Sequence, residues 1–192
     1  MWKFIKSAFE SDAWLDCKNK KQICFWGRSN VGKSSLLNSL VKQKISFVSK
    51  QPGRTQLINY FSNDFFYIVD LPGYGYAQMS KENIKKMNDA INDFLSNDIH
   101  EKIVFLLIDS RTGITKIDAE KINFLRSINL PIHLIYTKID KINQKGKSQL
   151  IKHYNELTNS KILPNNSQIF LASSLKNIGI DDIIEFINSQ EY

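Results

Sequence analysis

The chain has 192 residues, 42% hydrophobic and 23% charged, a balance that suits one globular domain with an ample core and excludes a disordered or fibrous chain. A formal net charge of +7 favours polyanionic partners such as nucleic acid or an acidic membrane surface, although lysines on solvated faces give the same sum. No apolar run approaches the ~20 residues of a membrane span, the start lacks a signal-peptide pattern, and two cysteines with three scattered histidines support neither a disulfide framework nor a zinc site, so a cytoplasmic protein without a membrane span is expected.

Residues 1–21 carry Trp2, Phe4, Phe9 and Trp14 and then the basic run Lys18, Lys20 and Lys21, which reads as an N-terminal extension packed on the domain. An apolar run at 22–26 reads as a strand. It leads into Gly27-Arg28-Ser29-Asn30-Val31-Gly32-Lys33-Ser34, which fits the phosphate-binding loop pattern G-x-x-x-x-G-K-[ST] at every fixed position, and a helical pattern follows at 35–41. A polyphosphate needs this context, because glycines let the backbone wrap the anion and a helix N-terminus aims free N–H groups at it. Lys33 would reach the β- and γ-phosphates, and Ser34 would offer its hydroxyl to Mg²⁺. A glycine-rich turn with a chance Lys-Ser is the alternative, and the flanking strand and helix argue against it.

After residues 45–48 and the turn-like Gln51-Pro52-Gly53-Arg54, two strand patterns at 57–61 and 65–69 flank Ser62-Asn63-Asp64 and read as an antiparallel hairpin. Ser80 can cap a helix whose stripe is Ile84, Met87, Ile91, Phe94 and Leu95. Six consecutive apolar residues at 103–108 mark a strand buried on both faces. Thr115 to Asp118 can initiate a helix carried by Ile122, Leu125 and Ile128; a strand at 132–136 follows. Then come a helix through Leu150, Ile151, Tyr154 and Leu157, a strand at 169–172, and a last helix with Ile183, Ile184 and Ile187. The alternation predicts one α/β domain over residues 1–192, with an about six-stranded, mostly parallel sheet, one antiparallel strand and helices on both faces.

In open α/β sheets ligands bind beyond the carboxyl ends of the strands, and the chemically loaded residues fall there. Asp70-Leu71-Pro72-Gly73 follows the strand at 65–69, Thr137-Lys138-Ile139-Asp140 that at 132–136, and Ser173-Ser174 that at 169–172. Asp70 is a hard oxygen ligand suited to Mg²⁺, Gly73 leaves its N–H free to approach a γ-phosphate, and Thr55 can supply a second hydroxyl to the metal. Losing the γ-phosphate would release the Thr55 and Gly73 segments, an order-disorder switch. Asp140 selects the base, since guanine presents adjacent N1–H and N2–H₂ donors to a carboxylate and adenine does not. A lone T-K-x-D could be a surface turn; after a strand and a phosphate loop it points to GTP over ATP.

Gly27 to Ser35 with Pro52-Gly53-Arg54-Thr55-Gln56, Asp70-Leu71-Pro72-Gly73-Tyr74-Gly75-Tyr76, Thr137-Lys138-Ile139-Asp140 and Ser173-Ser174-Leu175-Lys176 together resemble the EngB (YihA/YsxC) family of bacterial GTPases, of the same broad class as Era and MnmE. The resemblance spans essentially the whole chain. It implies a Ras-like P-loop GTPase domain that binds GTP or GDP with Mg²⁺, associates with the large ribosomal subunit or its rRNA during assembly, and is required for normal septation. The nucleotide residues it implies are Gly27, Arg28, Ser29, Asn30, Val31, Gly32, Lys33, Ser34, Ser35, Gly53, Arg54, Thr55, Gln56, Leu57, Asp70, Leu71, Pro72, Gly73, Thr137, Lys138, Ile139, Asp140, Ala172, Ser173 and Ser174, with Ser34, Thr55 and Asp70 at the metal. A monomer is expected. One departure is Ile114 in the segment after Asp109, where the family usually has proline; Asp118 keeps the acidic residue beyond it.

Tyr74 stands where Ras-type enzymes carry the glutamine that orients the attacking water, so slow intrinsic hydrolysis is expected. The catalytic candidates are Lys33, Thr55 and Asn30; Asn30 holds the loop position at which related GTPases bind K⁺ beside the phosphates, and otherwise its amide would bond within the loop. Arg54 reaches either the phosphates or an RNA partner. Tyr74, Tyr76 and Phe61 could form an aromatic patch for stacking on RNA bases, with core packing as the alternative. A K⁺-assisted or ribosome-stimulated GTPase, an ATP-dependent P-loop enzyme, and a nucleotide-gated RNA-binding module in which hydrolysis is incidental are the readings to separate.

Overall fold

Two central strands are buried along their whole length, and their residues alternate between two separate cores. The computed structural model describes residues 2–17, 20–43, 57–75 and 79–190. In β2 (Gln22–Gly27) and β5 (Lys102–Asp109), Cys24, Trp26, Val104, Leu106 and Ile108 face one core, while Ile23, Phe25, Ile103, Phe105 and Leu107 face the other. A period of two with both faces apolar requires layers on both sides of the sheet. The first core takes α2 (Lys81–Asn97) and α3 (Lys116–Ser127), with Leu150 of α4 (Gln144–Asn159); the second takes α1 (Lys33–Leu40) and α5 (Ile180–Asn188).

The sheet order is β1-β3-β4-β2-β5-β6-β7 among the described residues. Strands β4 (Tyr67–Asp70), β2, β5, β6 (Ile132–Thr137) and β7 (Ile169–Leu171) pair in parallel, which carries their C-terminal ends to one rim. Only β3 (Ile58–Ser62) runs the other way, antiparallel to β4 and to β1 (Lys3–Ala8). The expected hairpin is therefore present. Asn63 shapes its turn by accepting from the backbone N–H groups of Phe65 and Phe66 at 2.9 and 2.7 Å.

The N-terminal stretch supplies an edge strand, so the sheet has seven strands where about six were expected. Its pattern hides this, because Phe4 and Ile5 are both exposed and a bulge between Phe4 and Lys6 interrupts the alternation. Edge pairing needs one good ladder rather than a clean amphipathic face. The Ser7 hydroxyl adds a side-chain bond to Asn59 at 2.6 Å. Further along, the Cys17 N–H donates to His100 Nε2 at 3.1 Å, and both cysteines are free and buried.

Helix starts follow local chemistry. Ser80 accepts from the Asn83 N–H, Asn143 from the Gly146 N–H, and Thr115 forms a capping box with Asp118. In α4 the expected stripe turns Leu150 inward, whereas Ile151 remains 42% exposed. The expected element at 45–48, the turn from Gln51 to Arg54, and Gly53, Thr55, Gln56 and Tyr76 lie outside the described residues.

Candidate functional site

The loop at 27–34 is bounded by Gly27 at the end of β2 and by Lys33 and Ser34 in the first turn of α1, two residues earlier than the sequence pattern places the helix. Its backbone enters the left-handed region twice, at Asn30 (φ 63°) and at Gly32 (φ 106°). Glycine takes the second position without the steric cost a Cβ would bring. The helix N-terminus thus opens directly from the loop, with its unpaired N–H groups at the rim.

Lys33 Nζ pairs with Asp70 Oδ1, and both residues are buried, at 8% and 1% exposure. Asp70 closes β4, so the parallel pairing of β4 with β2 puts the loop lysine and this carboxylate at one point of the rim. Ser34, half-buried, comes next along the helix. A hydroxyl and a carboxylate beside a phosphate loop are hard oxygen donors, the kind Mg²⁺ takes, so this donor set fits that ion. After Asp70 the chain continues the ladder: the Leu71 N–H donates to the Phe25 carbonyl at 3.1 Å and the Trp26 Nε1–H to the Pro72 carbonyl at 3.0 Å. Gly73 is buried between these tethers and Tyr74.

On the other side of the loop lies a cavity of about 450 Å³ whose lining includes Gly32, Ser35, Thr137, Lys138, Asp140, Ser173 and Ser174. Asp140 follows β6, and its Oδ1 accepts from the Ser173 hydroxyl at 2.6 Å, with Lys141 Nζ 3.4 Å from Oδ2. The Ser173 bond chiefly holds this carboxyl below its ordinary range, keeping it an acceptor. Thr137 donates to the Val31 carbonyl at 2.7 Å, and Lys138 Nζ donates to the Asn30 carbonyl at 2.7 Å. The T-K-x-D segment therefore also fastens the phosphate loop. Ala172, fully buried, joins β7 to it, donating to the Tyr136 carbonyl at 2.8 Å and accepting from the Ile139 N–H at 3.2 Å.

Two acidic residues outside the expected set support these groups. Asp109, at the end of β5, accepts from Lys138 at 2.9 Å and from Arg111 at 2.9 and 2.6 Å. Burial would raise its pKa, but the Arg111 and Lys138 bonds outweigh it and hold the carboxyl well below its usual range. Asp118, with no exposed surface, accepts from the Tyr74 hydroxyl at 2.8 Å and lies 3.2 Å from Arg28 Nε. A strand-end position could have marked Asp109; the pattern T-x-x-D marks Asp118 only as a helix-start residue.

The expected aromatic patch is corrected by burial. Tyr74 is 1% and Phe61 2% exposed, because Tyr74 packs edge-on against Trp26 (5.3 Å between centroids) and Phe61 joins the second core beside Phe4. Burial and the neighbouring Asp118 also push the Tyr74 hydroxyl far above its ordinary pKa, so it stays a donor. Asn30 is exposed and its side chain makes no hydrogen bond among the described residues, so the within-loop bond considered for it is absent there. Leu57, expected near the nucleotide, stands 42% exposed just before β3.

Residues 22–138 match the 50S ribosome-binding GTPase family. The "probable GTP-binding protein EngB" of Mycoplasmopsis agalactiae is 64% identical over 187 residues, covering 97% of this chain and 96% of that protein. Its namesake in Mycoplasmopsis synoviae is 48% identical, over 98% of this chain and 99% of that one. Among solved structures, a crystal structure of a probable GTP-binding protein engB superposes with a TM-score of 0.69 at 26% identity, over 88% of this chain and 97% of that one. Era in complex with MgGDPNP and nucleotides 1506–1542 of 16S ribosomal RNA gives 0.70 at 26% identity, over 88% of this chain and 56% of that one.

Proposed function

Because this chain belongs to the EngB family of GTP-binding proteins and is a GTPase, we propose that it is a guanine-nucleotide switch of large ribosomal subunit assembly that hydrolyses GTP slowly. The observation that carries the reading is Asp140, fixed by Ser173 at a cavity that shares Gly32 with the phosphate loop. There its two oxygens accept from guanine N1–H and N2–H₂, while the loop N–H groups and Lys33 take the phosphates. Ser34, Asp70 and Thr55 would hold Mg²⁺, which would supply neutralisation of phosphate charge. Lys33 would exchange its Asp70 partner for the phosphates.

Slow turnover follows from Tyr74, whose hydroxyl is committed to Asp118 and so cannot orient water. Asn30 supplies an exposed amide oxygen beside the phosphate positions, where K⁺ would act in place of an arginine finger. Equal rates in sodium and potassium buffers, with and without ribosomal subunits, would remove that part of the reading.

The ribosomal partner is supported by the matched family, by Era's rRNA complex and by the net charge of +7. Residence in the cytoplasm as a monomer, and a requirement for septation, are carried by the EngB resemblance. Co-sedimentation with large subunits should be strong with a non-hydrolysable GTP analogue and weak with GDP; indifference to the nucleotide would sink the switch. The second reading, an RNA-binding module with incidental hydrolysis, is favoured by the buried Tyr74 hydroxyl. It requires that Lys33→Ala abolish turnover while leaving subunit binding intact.

A further inference from the structure

Asp118 belongs to none of the nucleotide motifs, yet it is fully buried, with hydrogen bonds from Thr115 and Tyr74 and an ion pair with Arg28. Its Oδ2 accepts from the Thr115 N–H at 2.8 Å and the Thr115 hydroxyl at 2.7 Å, which closes the start of α3. The same oxygen faces Arg28 Nε of the phosphate loop, and Oδ1 takes the Tyr74 hydroxyl. Arg28 is held in turn by Nη2 donating to Thr112 Oγ1 at 2.7 Å.

A helix cap alone needs only the Thr115 bonds, and an exposed carboxylate would serve. Burying a charge is costly unless it is paired and hydrogen-bonded, so the extra partners mark a purpose beyond capping. That purpose is readable in the neighbours of Gly73. On one side the Pro72 carbonyl is held by Trp26. On the other, the Tyr74 N–H donates to the Gly27 carbonyl at 3.2 Å, the Tyr74 carbonyl accepts from the Ser29 N–H at 2.8 Å, and the ring lies edge-on to Trp26. Lys121, one turn beyond Asp118 on α3, places its ammonium 4.8 Å from the Trp26 ring centre and 5.8 Å from that of Tyr74.

We infer that Asp118 is a positioning residue for GTP turnover: by tying Tyr74 and Arg28 to one buried carboxylate, it holds Gly73 in register with the phosphate loop, where its N–H meets the γ-phosphate. The inference rests on the GTPase reading above. Its distinguishing consequence is selective, because GDP has no γ-phosphate and does not sense where Gly73 lies. Breaking the clamp therefore weakens GTP-state binding and turnover and spares GDP.

The test compares wild type, Tyr74→Phe, Asp118→Ala and the double variant by titration with GDP, titration with a non-hydrolysable GTP analogue, and steady-state kcat. Tyr74→Phe keeps the ring on Trp26 and removes only the donor. Analogue affinity and kcat should fall roughly tenfold, the scale of one hydrogen bond to a charged group, with GDP affinity held within about twofold. Adding Tyr74→Phe to Asp118→Ala should cost nothing further, since both break the same bond. Should Asp118→Ala fail to fold, Tyr74→Phe alone decides. Equal loss for both nucleotides, or no loss, overturns the clamp. A wild-type protein that binds neither nucleotide overturns the reading beneath it instead.

Discussion

The phosphate loop is held from two sides, and the two sides are built differently. Toward β6, Thr137 and Lys138 bond the carbonyls of Val31 and Asn30, so the residues just before Asp140, the proposed base reader, also brace the loop. Toward β4, the loop is bridged backbone to backbone by Tyr74 and pinned through Arg28 to Asp118, a carboxylate from a helix start that no nucleotide motif includes. The first side brings together binding and bracing in four consecutive residues. The second separates them, leaving the γ-phosphate side dependent on a tertiary contact. Disturbing the base side should therefore affect GDP and GTP alike, and disturbing the switch side should affect only GTP.

The largest break of this contrast is expected from Asp140→Asn. An amide offers guanine one acceptor where two are needed and leaves a donor facing a donor, so GTP and GDP affinity should both fall by on the order of a thousandfold, while xanthine nucleotides gain. Competition titrations with GDP and XDP check it, and unchanged base preference would move the base site elsewhere.

A smaller effect reaches the same side through pH. His133 lies in β6 with Nδ1 accepting from the Gln168 N–H at 3.1 Å, and burial pushes its pKa down from 6.5 to about 4. The unfolded chain binds this proton more readily, so stability is full above pH 6.5 and is lost as pH falls, levelling near the folded value. Between pH 7 and pH 5 the loss should be about 2 kcal/mol, read as a lowered urea midpoint. A midpoint that does not move over this interval would mean His133 is not held neutral.

The smallest is Thr137→Val. It removes the bonds to the Val31 and Ile108 carbonyls, at 2.7 and 3.3 Å, at a cost of about 1 kcal/mol in stability. GDP and GTP-analogue affinities should fall together by the same few-fold factor in paired titrations. A selective loss of the analogue would erase the difference between the two sides.

Much of the architecture is legible because it rests on neighbours in sequence. The double-sided burial of β5 shows as six apolar residues in a row, and Ser80, Asn143 and the Thr115 box mark helix starts within four residues of their partners. The Asn63 turn is equally local. Strand β1 is less legible, since an edge strand with a bulge and exposed Phe4 and Ile5 lacks the alternation that identifies strands. Tyr74 misleads for a related reason: beside glycine and tyrosine neighbours it reads as an exposed aromatic, while the Trp26 ring and the Asp118 carboxylate that bury it lie 48 and 44 residues away along the chain.

By itself the sequence determined that a G-x-x-x-x-G-K-S loop and the carboxylates of Asp70 and Asp140 stand at strand ends, because the loop pattern and the T-K-x-D pattern have short, fixed spacing. Tertiary structure alone decided how those pieces are held in register: Lys138 on the Asn30 carbonyl, Ser173 on Asp140, and Asp118 between Arg28 and Tyr74. The physical reason is distance along the chain. A hydrogen bond between residues 33 to 108 positions apart leaves no local trace in composition or period, and only the folded sheet brings its donor and acceptor together.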